Sequence, residues 1–504
     1  MSGWRLIHVP EPRLAFGFGQ TAEHPKDGLF LYGPPASNLN PARMDVGVVA
    51  TAAGIERYQR WVKSIGLTIS PPAEGKPENK MFWPGFEAVF AAPWPEQPYA
   101  SCVIDGAELS RRIRIENRYE AISEAAKLYG DTLRRHLDDE EARPKLWFAV
   151  LPEEVFRYGR PKSIVPRAER EKSTAPVSRR LAKTVLEKGW LFPEDVEAAE
   201  IYEYELNFHN QLKARLLDTR QVIQVVRETT LTPEDFDQNI RRSLQHPSAV
   251  AWNLSTTAFY KADGRPWRVA DIRDGVCYVG LVFKRLDNAS GRDNACCGAQ
   301  MFLGSGDGVV FKGAVGPWHS ATDNSFHLSK AKAAELMDMI IRAYTAQHGK
   351  PPNELFIHGK VRFDNEEWAG FSSTVPPATR LVGVQIRRQN EVKLFRYGSR
   401  PVLRGTAAIV SERFAYLWTV GFTPRLATYP GREVPNPLTV DVVRGDCPIE
   451  TVLGDLMALT KLNFNGANFS DGLPVTLRFA DLVGEILTAG PNKETAPLPF
   501  KFYI

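Results

Sequence analysis

Six consecutive apolar residues, Leu146-Trp147-Phe148-Ala149-Val150-Leu151, are stopped by Pro152. A run of that length with no polar alternate, closed by a residue that cannot donate to a ladder, predicts a strand buried on both faces. Val46-Gly47-Val48-Val49 predicts a second strand, followed by a helix near 53–66. Apolar positions at three- and four-residue spacing predict a helix over 116–138, and Glu153 to Tyr158 opens another. Strands alternating with helices imply an α/β fold, a mostly parallel sheet with helices on its faces. Ligands of such sheets sit beyond the carboxyl ends of the strands.

At 504 residues the chain is expected to hold two or three domains. A second begins near Pro266, which divides the sequence into 1–265 and 266–504. Residues 276–283 and 308–315 read as neighbouring strands. Ser329 caps a long helix ending at Gly349, with Leu336, Met339, Ile340 and Tyr344 at helical spacing. Strands at 355–357, 380–386 and 407–422 follow, then helices at 448–460 and 476–487. Strands first, then helix and strand in alternation, fit a ribonuclease H-like fold.

Hydrophobic content of 43% and charged content of 24% are those of a soluble globular protein. No apolar run approaches the roughly 20 residues needed to cross a bilayer. The start, MSGWRLIHVPEPRLAFGFG, lacks the apolar segment and cleavage pattern of a signal peptide, so a cytoplasmic location and no membrane partner are expected. Five Cys, at 102, 277, 296, 297 and 447, with no C-x-x-C pair, are expected to be reduced thiols. A net charge of +4 suits nucleic acid only where basic residues gather, as in Arg111-Arg112-Ile113-Arg114, Arg241-Arg242 or Arg387-Arg388. Residues 160–180 read as an exposed basic loop.

Chemistry concentrates between Glu203 and Thr230. Asn207 caps a short helix on which His209 and Lys213, four apart, face the same way. A β-branched run, Val222 to Val226, carries one amide, Gln224, which needs a partner wherever it is buried. Lys261 lies well beyond. A helix start with free N–H groups, a Lys, a His and an amide suits a terminal phosphate, although each residue alone also suits a solvated helix face or a core strand.

The order H-x-x-x-K, Gln, distant Lys resembles the 5′-phosphate pocket in the MID domain of prokaryotic Argonautes. The match falls on His209, Lys213, Gln224 and Lys261, flanked by RETTL and GRPW. Glu11-Pro12, Phe16-Gly17, Gly28-Leu29 and Tyr32-Gly33-Pro34 resemble the opening of short Argonautes. YVGLVF, LFIHGK with EEWAGF, and TKLNFN with LPVTLRFAD resemble a PIWI domain. The resemblance thus implies a Rossmann-like MID domain followed by a ribonuclease H-like PIWI domain.

Active PIWI domains hold divalent ions with a carboxylate tetrad, since hard cations need anionic ligands. The first carboxylate position falls on Val282. The third falls on His358-Gly359-Lys360, with Asp364 the nearest following acid, and the last on Asn463 to Asn465. A rebuilt set from Asp287, Asp307, Glu366 and Glu367 misses the expected point of the first strand. His358 with Glu366 and Glu367 matches no ligand spacing. No catalytic residues, and no enzyme activity in this chain, are therefore expected. The resemblance also implies a Mg²⁺ at the guide phosphate, held by the terminal carboxylate of Ile504. The tail PLPFKFYI equally suits a final edge strand.

A short prokaryotic Argonaute with an inactive PIWI domain implies a guide-directed sensor in prokaryotic immunity. It would hold a 5′-phosphorylated guide RNA, pair it with a single-stranded DNA target, and activate an APAZ-containing effector chain. That effector would be a TIR or sirtuin-like NADase or a nuclease, acting by abortive infection. The alternatives are a self-sufficient, guide-dependent nuclease of ribonuclease H type and a scaffold that binds no nucleic acid.

Overall fold

A computed structural model describes residues 3–73, 81–188, 193–237, 244–270, 273–285, 295–302, 308–316, 319–320, 325–429, 431, 433–491 and 498–504. One sheet has four parallel strands in the order Ala100–Ile104, Val46–Thr51, Leu146–Leu151 and Ile223–Arg227. Leu146, Phe148 and Val150 enter a core with Tyr58, Trp61 and Val62 of the helix Ala52–Ile65. Trp147, Ala149 and Leu151 face the opposite way, against Ile122, Ala126, Tyr129 and Leu133 of the helix Arg118–Asp139. Side chains alternate faces along a strand, and here both faces are covered, so no position tolerates a polar residue. Gly47 stands opposite Trp147 in the register, and a Cβ there would come within 2.5 Å of the indole. Glycine is what admits the ring.

Among the described residues the second sheet has ten strands. Its centre is parallel: Val276–Arg285, Glu354–Gly359 and Arg380–Arg388, packed on the helix Lys330–His348. Ser329 Oγ accepts from Lys332 N at 3.4 Å to start that helix, and Gly349 at φ 73° ends it. Antiparallel strands extend both sides.

Four details differ from the sequence reading. The strands at 276–283 and 308–315 are not adjacent, because Ala295–Phe302 pairs between them. The stretch 407–422 is a hairpin, Thr406–Ser411 and Phe414–Leu417, turned where Ser411 Oγ accepts from Arg413 N at 3.3 Å. The stretch 476–487 is two helices, Val475–Arg478 and Ala480–Leu487, broken at Phe479. Finally, Arg5–His8 joins the second sheet beside Thr406–Ser411, so the chain before 266 contributes to both sheets. Cys102, Cys277 and Cys447 are free and buried. Among the described residues no helix is long and apolar enough to cross a membrane.

Candidate functional site

Asn207 accepts from Asn210 N at 3.4 Å and begins the helix Phe208–Leu216. The helix start is less open than the sequence implied, since Phe208 N also donates to Gly159 O at 2.9 Å. Four residues on, Lys213 is buried and its Nζ donates to the backbone oxygen of Ile504. Lys261, the last residue of the helix Pro247–Lys261, reaches the same oxygen from the other side. Its Nζ also donates to Gln224 Oε1 at 2.8 Å and to Ile223 O at 3.2 Å. Three acceptors match the three N–H groups that a protonated amine offers. Gln224 completes its amide by donating Nε2 to Val225 O at 2.9 Å.

His209 lies among dense protein but opens to solvent through the pocket mouth. Its Nδ1 lies 3.0 Å from Asn210 Oδ1, while Asn210 Nδ2 donates to Glu205 at 3.0 Å. The carboxylate only accepts, so the amide oxygen faces the ring and Nδ1 donates, leaving Nε2 unassigned toward the pocket. Its surroundings, and then the Lys213 charge, hold the imidazole down at about 4. Burial likewise pushes the Lys213 amine down to about 7. Burial, then the neighbouring Lys213 charge, brings Lys261 well below the ordinary lysine range.

These residues adjoin a cavity of about 730 Å³ that both halves of the chain build. Phe156, Arg160 and Arg227 form part of one wall, Asn253 and Thr257 another, and Asn465, Leu482, Glu485 and Ile504 close it from the second half. The Arg227 guanidinium lies 3.7 Å from the centre of the Phe156 ring, and that of Arg160 4.5 Å from it. The lysine end sits beside the outer strand Ile223–Arg227, not beyond the carboxyl ends of the sheet. An outer strand leaves one edge unpaired, and there Lys261 reaches the Ile223 carbonyl. The cavity continues to that sheet's carboxyl end at Leu151 and Arg227.

Sequence reasoning named His209, Lys213, Gln224, Lys261 and Ile504, and the fold brings all five together. It missed Phe156, Arg160, Asn253 and Thr257 as lining residues. Only Arg160, at the head of the basic loop, had carried a signal. The Mg²⁺ expected at Ile504 belongs beside a bound guide phosphate. Ile504, Gln224 and Ile223 offer oxygens, but the Lys261 ammonium already occupies the point on which all three converge. That donor set is built for an anion, with two lysines supplying the positive charge.

At the centre of the second sheet, Val276–Arg285 carries no Asp or Glu. His358 is buried, with Nδ1 2.9 Å from Thr476 Oγ1, and burial holds it down at about 3. Gly280 lets the Pro474–Arg478 turn lie directly on the strand, since a Cβ would meet Thr476 O at 2.0 Å. Asp364 caps the helix Asn365–Thr374, accepting from Glu367 N at 2.7 Å. Buried Glu367 accepts from Leu328 N at 3.1 Å and lies 3.4 Å from His327, so it serves local packing. Asp287 and Asp307 lie outside the described residues. Among the described residues no three His, Cys, Asp or Glu are grouped to hold a metal.

No family model and no curated protein matches this sequence. Solved structures do match. Clostridium butyricum Argonaute, in a structure bound to a guide DNA and a 19-mer target DNA, superposes with a TM-score of 0.65 at 16% identity. Aa-Ago, in a crystal structure with externally bound siRNA, gives 0.56 at 14% identity. Both matches cover 100% of this chain but only 55% and 56% of theirs, so the chain spans about half their length. The fold of this chain is therefore Argonaute-like, a Rossmann-like MID half joined to a ribonuclease H-like PIWI half.

Proposed function

We propose that this protein is a guide-directed nucleic-acid sensor that grips the 5′-phosphate of a small guide strand without cutting its target. The observation that carries the reading is the convergence of Lys213, Lys261 and Gln224 beneath a cavity formed by both halves. An incoming phosphate takes over the ammonium hydrogen bonds now made to Ile504 and gains from two desolvated positive charges. His209 Nε2 is the additional contact from the helix. The guide's base pairs carry sequence, while the protein reads phosphates and strand shape.

From the family resemblance we assign the guide as RNA, the target as single-stranded DNA, and the output to a separate APAZ-containing effector of TIR, sirtuin-like or nuclease type. The role is defence against plasmids and phages in the prokaryotic cytoplasm. The acid-free central strand supports placing the chemistry in the partner rather than here. Incubation of the purified chain with guide, complementary target and Mg²⁺ or Mn²⁺ tests this. Target strands are expected to stay intact, and cutting by this chain alone would favour a self-sufficient nuclease.

Two further results are expected. Both lysines sit below their ordinary range when the site is free, and a bound phosphate raises them again. Binding therefore takes up protons. Affinity for a 5′-phosphorylated strand should fall as pH rises above 7, by up to about tenfold per pH unit for each proton taken up. The phosphate itself is already doubly charged there. A 5′-hydroxyl strand should show no such slope, and equal slopes would refute the linkage. Chelation by EDTA should change 5′-phosphate affinity by less than about twofold, because the lysines supply the charge a hard cation would otherwise provide.

A further inference from the structure

Beyond the Arg380–Arg388 strand the chain reads Gln389-Asn390-Glu391-Val392-Lys393-Leu394-Phe395-Arg396-Tyr397-Gly398-Ser399-Arg400. Its inner side is anchored. Val392 and Leu394 pack against Val402, Ala408 and Trp418, and Val392 N donates to Gln389 Oε1 at 2.8 Å. Lys393 Nζ donates to Val434 O at 3.2 Å and to Asn436. Its outer side presents Phe395, 74% exposed, and Tyr397, wholly exposed, with Arg396 between them. Gly398 turns the chain with φ 108°.

The location matters as much as the composition. Val276–Arg285, Glu354–Gly359 and Arg380–Arg388 are parallel neighbours and end at one edge of the sheet. That edge carries Lys360, Arg362, Arg387 and Arg388, all open to water. Arg362 pairs with Asp441 at 2.7 Å, whereas Arg387, Arg388 and Arg396 form no ion pair among the described residues. Unbalanced cations interleaved with bare aromatic faces suit a polyanion whose bases have π-faces. A protein partner would match the rings but would need an acidic face for the guanidinium groups.

We propose that residues 387–400 form a stacking platform for the unpaired part of a nucleic-acid strand, with Phe395 and Tyr397 against its bases and the arginines against its phosphates. This rests on the reading that the strand's 5′ end lies in the Lys213–Lys261 pocket. The test compares a 5′-phosphorylated single-stranded 4-mer, held by the pocket alone, with a 20-mer of the same 5′ sequence. In the Phe395→Ala/Tyr397→Ala variant the 20-mer should bind about tenfold more weakly or worse, while the 4-mer binds as before. Phe395→Trp/Tyr397→Trp should restore the 20-mer. Both rings are exposed, so the unfolding midpoint should not move.

An unchanged 20-mer affinity, with the wild type still preferring a 5′-phosphate, overturns the platform alone. So does an equal loss for both lengths, or the loss of a co-purifying protein with 20-mer affinity intact. A wild type indifferent to the phosphate at either length overturns the pocket and the platform together.

Discussion

The Lys213→Ala/Lys261→Ala variant is expected to lose nearly all preference for a 5′-phosphorylated guide over its 5′-hydroxyl counterpart. Each charge-assisted hydrogen bond contributes roughly 1.5–3 kcal/mol, so two lost together amount to about a hundredfold or more in the affinity ratio. The ratio is the quantity to measure, by anisotropy with otherwise identical 20-mers, because it cancels contacts along the rest of the strand. Both lysines are buried and both serve one oxygen, so their effects should not add. Either single substitution leaves the second ammonium to reorganise onto the phosphate. Gln224→Ala should cost less, since its amide oxygen orients Lys261. A double variant that keeps the wild-type ratio would refute the pocket assignment.

The largest stability effect is expected at Glu11, far from the pocket. Its carboxylate meets Arg404 Nε at 2.9 Å and Lys461 Nζ at 2.5 Å. The Lys461 side chain is fully buried and that of Arg404 nearly so. Arg404 also donates to Thr460 Oγ1 at 2.6 Å and to Thr419 O, and the Lys461 ammonium lies 3.5 Å from the Phe469 ring centre. Removing one member of a buried ionic group strands the others, and Glu11→Gln should cost roughly 3–5 kcal/mol.

The pH dependence follows from the two partners. Burial alone would raise the Glu11 carboxyl, but Arg404 and Lys461 bring it below its ordinary value. Its stabilisation is therefore present above the usual glutamate range and is lost as pH falls through the lowered value. Burial pushes Lys461 down to about 8 despite Glu11, and without Glu11 it falls further. The gap between wild type and variant should accordingly narrow as pH rises toward 8, because the stranded lysine escapes by losing its proton. Urea unfolding at pH 6.5 and pH 8.5 measures this, and a gap that does not narrow would contradict the coupling.

Much of the architecture was legible locally. The caps at Asn207 and Ser329 started the helices expected of them, and the apolar run at 146–151 became a strand buried on both faces. Ala295–Phe302 escaped notice because Gly298 and Ala299 interrupt its apolar pattern, and what makes it a strand is a neighbour on each side. The pairing of Arg5–His8 with Thr406–Ser411 had no local signal, since those residues lie some four hundred positions apart.

The same division holds at the site. His209 and Lys213 share a helix face by their spacing alone, and the lack of an acid in Val276–Arg285 is a fact of the chain. That Ile504, 291 positions beyond Lys213, supplies the oxygen between two lysines was settled by the tail. Leu498–Pro499 pairs with Gly308–Gly316, Phe500 to Phe502 turn, and the chain is carried into the cleft between the halves. Local periodicity reports which residues share a face. Which faces meet depends on the burial summed over the whole molecule, and here that sum brought two lysines to one oxygen of Ile504.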